Sequence, residues 1–160
     1  MRTIVGVMGS GRMLDAAAEA NAYVLGRLVA EEGWVLLTGG RATGVMDACS
    51  RGASEAGGLV VGVLPDETVM SASPAVDIAI RTGMGDARNV INILSSDVVI
   101  ALPGGPGTLS EVAHALKASK PVIVLGWDPG AAFRTTGRVL DAMTPEGAVA
   151  LARTLLEERP

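Results

Sequence analysis

"SSDVVIALPGGPGTLSEVAHALKAS" (residues 95–119) holds three grammars in one line. The run "SDVVIALP" is continuously apolar and β-branched, as a strand buried on both faces requires. "LSEVAHALKA" has helical spacing. Between them the backbone is broken by Pro103, Gly104, Gly105, Pro106 and Gly107. A buried strand running through a glycine loop into a helix is half of a βαβ unit. Such a loop brings amides close to a ligand, and the helix N-terminus behind it adds a partial positive charge. Glu111 has two readings. Thr108-x-x-Glu111 matches a capping box, with Thr108 as N-cap and Glu111 reaching back to it. Alternatively, its carboxylate faces whatever the loop binds.

The same alternation extends in both directions. "TIVGVM" (3–8), "WVLLTG" (34–39), "LVVGVL" (59–64), "DVVIAL" (97–102) and "PVIVLG" (121–126) are expected strands. "AVDIAI" (75–80) is a short additional one, and "RVLDAM" (138–143) an edge strand. Helical patterns fill 14–33, 44–58, 87–96 and 108–119; Leu14, Ala18, Ala22, Leu25 and Val29 mark one apolar stripe. A last helix starts with Thr144 as N-cap and Pro145 at N1. Residues 1–160 therefore read as a single α/β domain. Its expected form is a doubly wound, Rossmann-like fold with a mainly parallel sheet and helices on both faces.

Composition narrows the function. With 49% apolar and 19% charged residues the chain is of folded type, and its low aromatic content makes the core aliphatic. A net charge of −4 argues against nucleic-acid and membrane-surface binding, which need a basic field. One cysteine, Cys49, and one histidine, His114, argue against an internal disulfide and a multi-ligand metal site. With neither a signal peptide nor a membrane-length apolar run in the sequence, the expected location is the cytoplasm.

Ligands of doubly wound folds bind beyond the carboxyl ends of the strands, where the glycine loops fall. "MGSGRM" (8–13) supplies Gly9, Ser10 and Gly11 as candidates. "TGGRATGVM" (38–46) supplies Gly39, Gly40, Arg41 and Gly44. "LPGGPGTLSE" (102–111) supplies Gly104, Gly105, Pro106, Gly107 and Thr108, and "RTGMGDARN" (81–89) supplies Met84, Arg88 and Asn89. None is a dinucleotide fingerprint or a P-loop, so the signal lies in their combination. A phosphate is expected against the amides of Gly105, Gly107 and Thr108. Arg88 is expected in a first helical turn, where a cation opposes the helix dipole; an anionic ligand would relieve it, and folding would not depend on it.

These motifs resemble the Lonely guy (LOG) superfamily, a group once mistaken for lysine decarboxylases. "PGGPGTLSE" is similar to its PGGxGTxxE signature, "GGRATGVMDA" to GGGxxGLMG and "GMGDARN" to GMHxRK. The resemblance to its enzymes implies phosphoribohydrolase action on nucleoside 5′-monophosphates, cytokinin nucleotides among them, with Arg88 and Glu111 as the catalytic pair. Asn89 stands where the signature has lysine, Arg41 replaces the third glycine, and the chain ends sooner. Those departures look like the molybdenum-cofactor carrier branch. "GVMGSG", "GWVLLTGGR", "GVLPD", "TGMGDARNVINILSSDVVIA" and "EVAHALKASKPVIVLG" resemble that branch across residues 4 to 126. "PGGPGT" points back to the enzymes, since the carrier loop is often GMGxGT.

The reading carried forward is a carrier or storage protein for the molybdenum cofactor, a phosphorylated pterin. The alternative is a phosphoribohydrolase. The resemblance also implies a homo-oligomer, dimer or tetramer, expected on the faces bearing Ile91, Leu94, His114 and Lys117, and molybdoenzymes as recipients of the cofactor.

Overall fold

The computed structural model describes residues 1–12 and 15–158. Seven strands form one parallel sheet: β1 (Ile4–Met8), β2 (Val35–Thr38), β3 (Val60–Leu64), β4 (Ile78–Arg81), β5 (Val98–Ala101), β6 (Val122–Leu125) and β7 (Val139–Ala142). Their order is β4-β3-β2-β1-β5-β6-β7. Register is continuous through the centre, with Val5 opposite Leu36 on one side and Val98 on the other. The expected doubly wound α/β domain is the one observed. "RVLDAM" forms the β7 edge, and the short run near 75–80 forms β4, the opposite edge.

The helices are α1 (Ala16–Glu31), α2 (Gly44–Glu55), α3 (Asn89–Ser95), α4 (Pro106–Lys117), α5 (Ala131–Thr136) and α6 (Pro145–Glu157). Helices α1, α2 and α6 bury Leu25, Cys49 and Val149 with Val5, Leu36 and Ile100 on one face of the sheet. Helices α3 and α4 bury Ile93, Val112 and Ala115 with Leu37, Val99 and Val124 on the other. Successive strand residues alternate faces, so a strand clad on both sides must be apolar throughout. In the predicted stripe of α1, Ala22, Leu25 and Val29 are buried and Ala18 is half-buried; Leu14 lies outside the described residues. Asp15 caps α1 by accepting from the Ala18 amide at 2.8 Å. Thr144 caps α6 as expected, accepting from the Gly147 amide at 3.1 Å with Pro145 at the first position. Helix α5 had no readable pattern; its six residues bury none of their own. Among the described residues no helix is long and apolar enough to cross a membrane.

Helices α1 and α2 cross at backbone contact. A Cβ on Gly26 would collide with the Cys49 carbonyl oxygen, and one on Gly52 with that of Tyr23. Glycine inside a helix costs about 1 kcal/mol against alanine, so these two are retained for the crossing. Gly26→Ala is therefore expected to destabilise by about 1–3 kcal/mol despite its better helix propensity. Urea unfolding checks this: the midpoint should fall, and an unchanged or raised midpoint would show that the crossing can open at no cost.

Candidate functional site

The strand order reverses between β1 and β5, whose neighbouring connections leave the sheet in opposite directions and open a crevice. A cavity of about 540 Å³ lies there, within the size range of small-molecule sites. Three glycine loops form its walls, and Ser10 ties them together. The Ser10 amide donates to the Pro103 carbonyl at 3.1 Å, and the Ser10 carbonyl accepts from the Val45 amide at 2.9 Å. Gly44, at φ 59°, makes the second bond reachable, because a Cβ there would strike the Ser10 carbonyl oxygen.

The loop after β5 departs from the expected capping box. Helix α4 begins three residues earlier, with Gly105 in place of Thr108 as N-cap and Pro106 at the first position, and no side chain caps it. Thr108 and Glu111 are instead buried, at 3% and 7% exposed. Pro106 is pre-set for the first helical position and has no amide to satisfy, which favours the earlier start. The amides of the first turn are left without side-chain partners, and a Cβ on Gly105 or Gly107 would meet nothing within 4 Å. The helix terminus thus faces open space, the arrangement that receives an anion.

Arg88 closes a 3-10 turn (Gly85–Arg88) that leads into α3. It is not the dispensable first-turn cation expected: it is 8% exposed and donates through Nη1 to the Val63 carbonyl at the end of β3. Its guanidinium lies against Gly39, where a Cβ would collide with it and with the Met46 sulfur. Burial lowers its pKa, partly countered by the nearby Glu111 carboxylate. Its Nε has no hydrogen-bond partner among the described residues.

Glu111 accepts one hydrogen bond, from Asn92 Nδ2 at 2.9 Å. Burial pushes its carboxyl from the ordinary 4.5 up to about 7, against the opposing pull of Asn92 and the Arg88 cation. A buried acid that changes charge near neutral pH, beside a fixed cation, can exchange a proton with a ligand or register a ligand's charge.

The cavity brings together Gly9, Ser10, Gly11, Gly39, Arg88, Asn89, Gly104, Gly105, Pro106, Gly107, Thr108 and Glu111. Asn89 also braces α4, donating to Ser110 Oγ at 3.0 Å, whose hydroxyl donates to the Gly107 carbonyl at 2.7 Å. Gly40, Arg41, Gly44 and Met84 lie off the lining. Arg41 turns outward to Asp66 at 3.3 Å, Gly40 backs onto Gly62, and Met84 is half-exposed. Arg12, Asp86 and Met46 line the cavity without having been singled out for it. Arg12 and Asp86 sit inside the glycine loops, which was the one available signal. Among the described residues no three His, Cys, Asp or Glu side chains stand together as metal ligands would.

With this geometry, the class of protein follows: the SLOG cluster4 family matches residues 2–151, and the chain belongs to it. Within the wider Lonely guy superfamily it lies in the carrier-like branch. The molybdenum cofactor binding protein of Rippkaea orientalis is 51% identical, with TM-score 0.94 and 98% of each chain covered. The molybdenum cofactor carrier protein of Chlamydomonas reinhardtii is 47% identical, with TM-score 0.91 over 99% of this chain and 100% of that one. A cytokinin riboside 5′-monophosphate phosphoribohydrolase of Mycobacterium tuberculosis is 34% identical over 64% of this chain and 54% of that enzyme.

Glu111 also makes stability depend on pH. Its folded pKa is raised, so its stabilisation is complete below about 4.5 and is lost as pH rises through about 7. The difference amounts to about 3 kcal/mol. Glu111→Gln should therefore gain on the wild type by that order between pH 4 and pH 8 in urea unfolding. Parallel pH profiles of the two proteins would show that Glu111 titrates normally.

Proposed function

We propose that this protein binds a phosphorylated small molecule in the β1–β5 crevice, and that the ligand is the molybdenum cofactor, held as cargo. The observation that carries the reading is the convergence of the uncapped α4 terminus and the Arg88 guanidinium on one cavity. The full-length likeness to two proteins of that description supports the choice of ligand. The phosphate would lie on the amides of Gly105, Gly107 and Thr108, with Arg88 behind it. The remaining cavity has room for a pterin, and Asp86 and Asn89 offer polar atoms to its edge. In the same reading the protein works in the cytoplasm as a homo-oligomer and passes the cofactor to molybdoenzymes.

One observation favours a second reading, phosphoribohydrolase action on a nucleoside 5′-monophosphate. Glu111, poised near neutrality beside Arg88, is the carboxyl that cleavage of an N-glycosidic bond would use. It would stabilise the oxocarbenium-like transition state and orient or deprotonate the attacking water.

Purification from a host that makes the cofactor tests the first reading: molybdenum and a phosphorylated pterin should copurify in comparable amounts, by elemental and molecular mass spectrometry. Their joint absence, with free base released from AMP at an ordinary enzymatic rate and lost in Glu111→Gln, would establish the second reading instead. In either case Arg88→Ala should weaken binding of the phosphorylated ligand by about 1.5–3 kcal/mol in calorimetry. It should also lower stability by about 1–3 kcal/mol, because the Val63 carbonyl loses its buried donor.

A further inference from the structure

The crevice that meets an anion with Arg88 and the α4 terminus also carries a carboxylate left without a partner. Asp86 lines the cavity two residues before Arg88, on the same 3-10 turn. Arg88 and Glu111 are buried and Asp86 is exposed, so the turn sends its cation to the floor and its acid toward the mouth. The other acids around the crevice are engaged. Glu111 accepts from Asn92, Asp66 from Arg41 and from Ser71 Oγ at 2.6 Å, and Asp47 from Arg51 and from Ser73 Oγ at 2.7 Å. Among the described residues the Asp86 carboxylate has no hydrogen-bond or ion-pair partner, and its charge is felt by Arg88 only through space. Its mount is nonetheless fixed. The Gly85 amide donates to the Pro65 carbonyl at 3.0 Å, the Met84 amide to Thr82 Oγ1 at 3.2 Å, and Thr82 Oγ1 to the Leu64 carbonyl at 2.7 Å.

A carboxylate in this place repels the anion that the rest of the site attracts. Phosphate alone would bind better without it. A metal ion is no better an explanation, since no three metal-ligating side chains stand together among the described residues. The acid is accounted for by a ligand that carries N–H donors as well as its anion. An ionised carboxylate only accepts, through two oxygens side by side. That pair matches an N–H next to an amino group, the 2-amino-4-oxopyrimidine edge that pterins and guanine share. Adenine instead places a ring-nitrogen lone pair beside its amino group, and the lone pair would face the negative charge.

We propose that Asp86 selects the ring of the ligand, accepting two hydrogen bonds from a 2-amino-4-oxopyrimidine edge and rejecting adenine. The assignment rests on the reading of the crevice as a site for a phosphorylated ring compound. A buried or walled acceptor pair discriminates in this way because the wrong edge leaves polar groups unpaired.

Calorimetry with GMP, IMP, AMP and inorganic phosphate tests it, since the phosphate stays constant while the ring edge changes. GMP should bind about 10-fold or more tightly than AMP, the lower end for charged hydrogen bonds because Asp86 is exposed. IMP keeps the ring N–H and lacks the amino group, so it should fall between them. Asp86→Asn sets a donor beside an acceptor, which suits adenine, and the order of GMP and AMP should reverse. Inorganic phosphate should bind this variant as tightly as the wild type or more tightly, because a repelling charge is gone. If the variant loses phosphate too, its site is damaged and the order of the three nucleotides on the wild type decides. A phosphorylated pterin run beside GMP separates the two sources of the edge: both should exceed AMP, and the tighter of them names the ring. Equal affinities for GMP and AMP, or a ratio that an intact Asp86→Asn site leaves unchanged, would overturn the assignment and leave the phosphate site standing. Failure of every one of these ligands to bind would overturn the site itself, and the role of Asp86 with it.

Discussion

Two backbone hydrogen bonds of Ser10 hold the functional end of this molecule together. One reaches the loop after β5 and the other the start of α2. Strands β2 and β5 flank β1 on opposite sides, so their loops would diverge without a link. Ser10 bridges them at the point where the fold itself opens a crevice. The glycines around it serve this clasp as much as any ligand. Gly44 clears the Ser10 carbonyl, Gly9 clears Val45, and Gly104 clears Thr108. Of the glycines that line the cavity, Gly105 and Gly107 alone border open space, and that contrast separates the glycines that build the site from those that face its contents.

The two ionisable groups at the floor are buried without forming an ion pair among the described contacts. Arg88 is anchored to a carbonyl of β3, and Glu111 to an amide of Asn92. Each loses solvation, and neither recovers it fully from the other, which is why burial dominates both pKa shifts. Such an arrangement is poor economy for stability alone. It becomes reasonable if a ligand's negative charge completes it, since a buried guanidinium with an unpartnered Nε is set to attract an anion. The same feature explains why Arg88 cannot be divided into a structural or a binding residue. Its Nη1 secures the end of β3, and the positive charge remains for the cavity.

Much of this was legible in the letters. Continuous apolar runs between helical patterns can be satisfied only by a sheet clad on both faces, so "TIVGVM" and "DVVIAL" already implied the doubly wound fold. The glycine loops marked the functional end for an equally local reason: side chains would obstruct backbone approach. Thr144-Pro145 announced α6 through capping chemistry that needs only adjacent residues. Local chemistry misled at Thr108-x-x-Glu111, where the capping box is a valid pattern that Gly105-Pro106 pre-empted by starting α4 earlier.

What the sequence determined by itself, then, is whatever depends on neighbours along the chain: strand and helix identity, the loops and the family motifs. Only the tertiary structure decided which loop members face the cavity, because that depends on what lies across the sheet. Gly40 is turned away by Gly62, Arg41 is drawn off by Asp66, and Arg88 is buried by Gly39 and Val63. Glu111 acquires its raised pKa from a dry environment assembled from α3, α4 and the 3-10 turn, and no stretch of sequence contains that dielectric. Likewise Ile78 and Ile80 look like ordinary strand residues in the sequence. Their exposure follows from α3 being too short and too far toward β1 to cover them, a relation between elements that no local pattern encodes.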